Sequence, residues 1–269
     1  MDIPQPKSSK ILVIGDSCID RYHFGECIRL SPEAPVPIFK LVNTQESQGM
    51  AGNVCLNLIN LGNKVSLITH NNKITKERFV VTTSNHHIMR LDTGETKKTK
   101  PTRLKQNINF KKYDAIVISD YDKGFLDETS INIILKEAAK ANVPVFADSK
   151  KKDLSCYKDC FLKINENEFE SMKREPSNCQ FIITLGKRGA LYQDRIYESY
   201  PSEIDNTGLS PNVCGAGDTF LAAFVTSCLA GEDPPEAIKF ANFCASIAVK
   251  NFGTYVIREE DVEKWRSSV

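Results

Sequence analysis

Short apolar runs alternate with helix-spaced segments along most of this chain. KILVIGD (10–16) is a continuous apolar run that stops at Gly-Asp, the profile of a strand buried on both faces of a parallel sheet. AGNVCLNLINLG carries apolar residues at helical spacing through Val54, Leu58 and Leu61 and stops at Gly62. KVSLIT then reads as a strand, AIVISD (115–120) as another, and DETSINIILKEAAKA as a helix. VPVFAD and FIIT (181–184) add two strands, and helices are predicted over 216–230 and about 234–249. This alternation, with acids and glycines at strand ends, predicts an α/β fold: a doubly wound, mostly parallel sheet whose ligands bind beyond the carboxyl ends of the strands.

Two segments break the rhythm. CIDRYHFGECIRLSPEAPVPIFKLV has three prolines and no helical period, and ERFVVTTSNHHIMRLD is continuous and β-branched. Both read as antiparallel strands outside the main sheet, at about 18–44 and 76–92, forming one small sheet over the site. The span 8–269 is expected to be a single domain with this sheet as its lid.

Composition narrows the function classes. At 269 residues the chain is long enough for a substantial core, and 41% hydrophobic with 26% charged residues is ordinary for a soluble globular protein. A net charge of +1 gives no bulk electrostatic case for nucleic acid or an anionic membrane. KKTKPTRLK (97–105) reads as a solvated loop. No apolar run is long enough to span a bilayer, and MDIPQPKSSK is unlike a signal peptide. Most of the nine cysteines lie in apolar patterns, which suits reduced core residues and a cytoplasmic location. Cys156 and Cys160 lack a partner pair at zinc spacing, and adjacent His86 and His87 in a strand face opposite sides.

The candidate chemistry sits in VCGAGDTF (213–220), which opens the apolar helix LAAFVTSCLA. A Gly-rich turn at a helix start leaves N–H groups facing outward on the positive end of the dipole, an anion cradle. Asp218 at its mouth reads as a base that takes a proton from an attacking hydroxyl, so the pair suggests phosphoryl transfer to an alcohol. A tight turn with an ordinary first-turn acid is the competing reading. Phe220 stands where a dinucleotide fingerprint needs its third glycine, and no G-x-x-x-x-G-K-[ST] occurs.

GDSCIDRYHFGECIRLSPEAPVP, QGMAGNV, HHIMRLD, SDYDKG, FADSK, INENEFE, ITLGKRGA and VCGAGDTF occur in this order. In that series the chain resembles the PfkB/ribokinase family of sugar kinases, and within it the D-glycero-D-manno-heptose 7-phosphate kinases. The resemblance implies a ribokinase-like core with a β-sheet lid, ATP and Mg²⁺ as cofactors, and a monovalent cation such as K⁺ as a permitted addition. It implies Asp218 as base and Gly215, Ala216 and Gly217 as anion hole. Asp20 would bind sugar hydroxyls, or else be a strand-end turn acid. Gly49 and Asn53 would line the sugar pocket, with an N-cap as the alternative for Asn53. Asn165 and Glu168 would help hold Mg²⁺ and its waters, although a helix cap with an acidic first turn fits the same spacing. Thr184, Gly186 and Gly189 would seat the nucleotide and Asn242 would lie near the adenine; a hairpin glycine and a surface asparagine are the alternatives. Arg90, Lys123 and Lys150 would hold the far phosphate of a sugar phosphate, Arg90 in bidentate fashion.

The chain also departs from the pattern. Met50 stands at the family's second glycine and Cys214 at the position before Gly-Ala-Gly-Asp. HNNKITKERF runs almost directly into the lid, and only KREPSNC follows INENEFESM, so two helical segments are cut. The expected activity is ATP-dependent phosphorylation of the anomeric hydroxyl of the heptose 7-phosphate, for surface-glycan synthesis, by a homodimer joined through its lids. Another sugar or sugar phosphate (ribose, fructose), or a non-catalytic binder derived from a kinase, are the alternatives.

Overall fold

The computed structural model describes residues 8–95, 108–200, 214–251 and 253–268. KKTKPTRLK (97–105) lies outside the described residues. Six strands form the parallel core: β1 (Lys10–Gly15), β4 (Lys64–Ile68), β7 (Ala115–Asp120), β8 (Val145–Ser149), β9 (Phe161–Asn165) and β10 (Gln180–Thr184). The antiparallel β11 (Ala190–Tyr192) and β12 (Arg195–Tyr197) extend it, in the order β12-β11-β10-β9-β8-β7-β1-β4. The order reverses at β1, whose two neighbours are β4 and β7, so the switch point for ligand binding lies at its carboxyl end.

The central strands β1, β7 and β8 are buried over almost their whole length because helices cover both faces. One layer packs α1 (Ala51–Asn60), α4 (Ala216–Leu229), α5 (Pro234–Lys250) and α6 (Glu259–Ser268) around Val13, Val117, Phe146 and Phe224. The other packs α2 (Glu128–Ala141) on Leu12, Ile14, Ile116 and Ile118, with Asp127 capping Ser130 N at 2.8 Å. A five-residue α3 (Glu166–Glu170) follows β9. The strand β9, the hairpin β11–β12 and α6 are additions to the elements expected from periodicity.

The second sheet has the order β3-β2-β5-β6, from β2 (Ser17–Glu26), β3 (Lys40–Met50), β5 (Thr75–Val81) and β6 (His87–Thr93). Two expectations need correction here. Strands β2 and β5 pair in parallel, because the chain returns to the core through α1 and β4 between them. Residues 27–39 form no strand, and β3 instead runs on to Met50. Beyond β4 the chain passes from Thr69 through a short turn into β5, which leaves β4 as the edge of the core sheet with Leu67 exposed.

Candidate active site

Asp218 lies in the first turn of α4 and is 2% exposed. Gly215, the residue before the helix, has φ +79°, and a Cβ there would come within 2.7 Å of Asn53 Nδ2. Glycine is therefore required twice over, for the backbone and for the close approach. The first-turn N–H groups of α4 have no acceptor within the helix, an arrangement able to receive an anion.

Two donors converge on the Asp218 carboxylate. Tyr121 Oη donates to Oδ1 at 2.7 Å, and Asn53 Nδ2 donates to Oδ2 at 3.1 Å. Asn53 is oriented by Asn57, whose Nδ2 donates to Asn53 Oδ1 at 3.1 Å, leaving the Asn53 amide group to face Asp218. The N-cap alternative for Asn53 is thus excluded: Met50 occupies the cap position, and Asn53 is the third residue of α1. Burial raises the Asp218 pKa to about 6, against the lowering effect of the Tyr121 hydrogen bond, with nearby Asp148 adding to the rise. A carboxylate held there is ionised at neutral pH yet basic enough to accept a proton.

Beside this turn runs a chain of alternating charge. Lys163 Nζ sits 2.8 Å from Asp148 Oδ2, Lys150 Nζ 3.1 Å from Asp148 Oδ1, and Lys150 Nζ 2.8 Å from Glu168 Oε1. Burial opposes ionisation of Asp148, but the two lysines outweigh it and hold its carboxyl below the usual range. Lys163 is 3% exposed, and a Cβ on Gly217 would lie 2.7 Å from its ammonium. Gly217 therefore leaves room for a buried cation against the cradle. Sequence reading missed Lys163, Asp148 and Tyr121. Only FADSK and SDYDKG, both noted as motifs, pointed to two of them.

Asn165 and Glu168 form a capping box: Glu168 N donates to Asn165 Oδ1 at 2.9 Å, and Asn165 N donates to Glu168 Oε2 at 2.8 Å. Thr184 ends β10, and Gly186 begins the single 3₁₀ turn that follows. Gly189, at φ +96°, closes the turn into β11, where a Cβ would meet Tyr197 O at 2.0 Å. It is a hairpin glycine. Asn242 is buried in α5, not on the surface, and donates to Tyr197 O at 2.8 Å and Glu198 O at 3.2 Å. Gly189 and Asn242 thus meet at the end of β12.

The lid brings its own residues. Asp20 in β2 is buried and accepts from Arg78 Nη1 at 2.5 Å, and a Cβ on Gly49 would lie 2.2 Å from its Oδ2. Arg78 also lies over the Tyr22 ring at 5.1 Å and donates to Cys214 Sγ at 3.4 Å. This buried arginine, absent from the sequence reading, joins the lid to the turn before α4. Of the three expected phosphate ligands, Arg90 lies opposite Arg78 in the β5–β6 register but is exposed and paired with Asp92 at 2.9 Å. Lys123 pairs with Glu95 at 2.7 Å. Lys150 Nζ stands 5.4 Å from the centre of the Tyr121 ring, whose hydroxyl donates to Asp218. Met50 is buried with φ 56° and ψ −132°, a backbone region strained for any residue but glycine.

The model of the pfkB family carbohydrate kinases matches residues 67–261. The chain belongs to the pfkB family of carbohydrate kinases. Among curated proteins it is 28% identical over 323 residues to the bifunctional protein HldE of Sulfurimonas denitrificans, covering 100% of this chain and 66% of that protein. The chain thus spans just under two-thirds of the relative's length. The alignment is longer than the 269-residue chain, as expected if segments within it have been cut. Escherichia coli phosphofructokinase-2 in complex with potassium superposes with a TM-score of 0.70 at 16% identity, over 97% of this chain and 99% of that one. Arabidopsis thaliana ribokinase, complexed with ribose and ATP, gives 0.66 at 14% identity over 95% and 98%. These likenesses establish a ribokinase-like fold, and the pfkB membership makes the chain a carbohydrate kinase.

Proposed function

We propose that this pfkB kinase uses ATP to phosphorylate the anomeric hydroxyl of D-glycero-D-manno-heptose 7-phosphate, giving the 1,7-bisphosphate. The observation that carries the chemistry is the buried Asp218 carboxylate, held by Tyr121 and Asn53 at the mouth of the Gly215–Gly217 turn. The heptose assignment rests on GDSCIDRYHFGECIRLSPEAPVP and its likeness to the heptose kinases, and the HldE relative supports it.

In this reading Asp20, with Gly49 and Asn53, orients the sugar so that one hydroxyl faces Asp218. Asp218 accepts that proton as the oxygen attacks the γ-phosphorus, and the bond to the β–γ bridging oxygen breaks to release ADP. The Gly215–Gly217 amides and the Lys163 ammonium stabilise the charge that spreads over the transferred group. Thr184, Gly186 and Asn242 seat the nucleotide, and Gly189 shapes the turn between β10 and β11 beside them. Asn165 and Glu168 offer hard oxygen donors suited to Mg²⁺ held through water, and Mg²⁺ would neutralise charge on the nucleotide phosphates. The capping box does not conflict with this role, since each carboxylate or amide oxygen has a second lone pair. Arg90, Lys123 and Lys150 would receive the 7-phosphate, with Arg78 as a buried fourth cation. The lid sheet excludes water from the transfer.

Among the described residues no helix is long and apolar enough to cross a membrane, in keeping with work on small soluble substrates in the cytoplasm. Leu41, Val42, Met89 and Leu91 are exposed on the lid strands, and a second copy is the cover we propose for them. Light scattering that finds only monomer at micromolar concentration would remove the dimer. ATP turnover against a panel of sugars tests the substrate. Fastest turnover with the heptose 7-phosphate supports the proposal, turnover with ribose or fructose 6-phosphate instead overturns the substrate, and none at all leaves a binding protein.

A further inference from the structure

Away from Asp218, at the amino ends of the core strands, two thiols face each other. Cys160 immediately precedes β9 and Cys179 immediately precedes β10. The two strands are parallel neighbours, with Phe161 opposite Gln180, so the cysteines continue the same register by one step. Gln180 N donates to Cys160 O at 2.9 Å, which fixes the two backbones at this level. The Sγ atoms lie 3.5 Å apart. Adjacent strands run about 4.8 Å apart, inside the roughly 4.4–6.8 Å between Cα atoms that a disulfide spans. Closing the bond therefore needs side-chain rotation and no movement of the sheet.

We propose that Cys160 and Cys179 are an oxidisable dithiol that hydroperoxides convert to a reversible disulfide. The two members differ in a way that orders the steps. Cys160 is 6% exposed, whereas Cys179 is only partly covered and meets solvent. The hydrogen bond from Cys160 lowers the Cys179 thiol, while Cys160 itself is pushed up. The Cys179 thiolate attacks the peroxide, breaks the O–O bond and becomes a sulfenic acid, releasing hydroxide or alkoxide. The Cys160 thiol then displaces the sulfenic oxygen as water, and the S–S bond forms. The peroxide gains two electrons and the dithiol loses them.

The bond would fasten both ends of residues 161–178, the segment that carries Lys163, Asn165 and Glu168. Cys156, though close in sequence, is buried four positions earlier. This inference is independent of the sugar assigned above.

The test is thiol mapping on the full chain. Treatment with hydrogen peroxide at low excess, followed by alkylation and tryptic digestion, should join peptide 159–163 to peptide 175–187, each of which holds one cysteine. Free thiols should fall from nine to seven, and dithiothreitol should restore nine. Cys160→Ser should abolish the cross-link and leave Cys179 to oxidise further to the sulfinic acid. Unmodified peptides 159–163 and 175–187, a cross-link to Cys156 instead, or sulfinic acid on Cys179 of the unsubstituted chain without any cross-link would each overturn the proposal. All of these readouts are independent of kinase activity.

Discussion

Asp218→Asn separates chemistry from stability. The amide keeps the shape of the side chain but accepts no proton, and a positioned base contributes about 10²–10⁴-fold. The same residue burdens the fold. Its pKa of about 6 lies above the ordinary carboxylate value, so protonated Asp218 favours the folded chain, and that contribution is lost as pH rises through 6. At neutral pH, holding the charge costs on the order of 3 kcal/mol, from about two pKa units at 1.36 kcal/mol each. Substitution releases that cost but sets an amide donor against Asn53 Nδ2, forfeiting a hydrogen bond worth about 1.5–3 kcal/mol to a charged group. The Tyr121 bond survives, because an amide oxygen still accepts it. The variant should therefore lose at least a hundredfold in kcat and melt within a few degrees of the parent, or above it. Stopped-time ATP turnover and differential scanning calorimetry at pH 7 measure both. A kcat above a tenth of the parent value removes Asp218 as the base, and a melting temperature lower by about 10 °C would refute the desolvation argument.

Three further outcomes follow from the same geometry. The acid limb of kcat/KM should fall near pH 6, and Tyr121→Phe should move it upward, since the tyrosine bond lowers the Asp218 pKa; an unmoved limb in the variant contradicts this. Arg90→Ala should cost about tenfold or more in kcat/KM with the 7-phosphate and little with the unphosphorylated heptose, a charged hydrogen bond being worth about 1.5–3 kcal/mol. Equal losses would make Arg90 a lid residue serving Asp92 alone. Met50→Gly relieves about 1–3 kcal/mol of backbone strain and forfeits a comparable side-chain burial, so its melting temperature should barely change while the sugar KM does; a large loss of stability would show that burial dominates.

The doubly wound core was legible in the sequence because strands buried on both faces leave an unbroken apolar run, as KILVIGD and AIVISD do. The Gly215–Asp218 turn was legible for a similar reason: its conformation and close contacts tolerate few residue types, so the composition itself is informative. Pairing was not legible. The lack of a helical period and the β-branched run mark β2 and β5 as strands but are the same for either direction, and only the path through α1 and β4 makes them parallel. Partners remote in sequence were hidden too. Asn53 and Asp218 are 165 residues apart, and Arg78 and Asp20 are 58 apart. Lys163 reads as one more charged residue in a chain with 35 lysines and arginines, until the sheet places it beneath Gly217 against Asp148. Local pattern records what a residue's own backbone requires, whereas the partner of a buried charge is chosen by the folded chain around it.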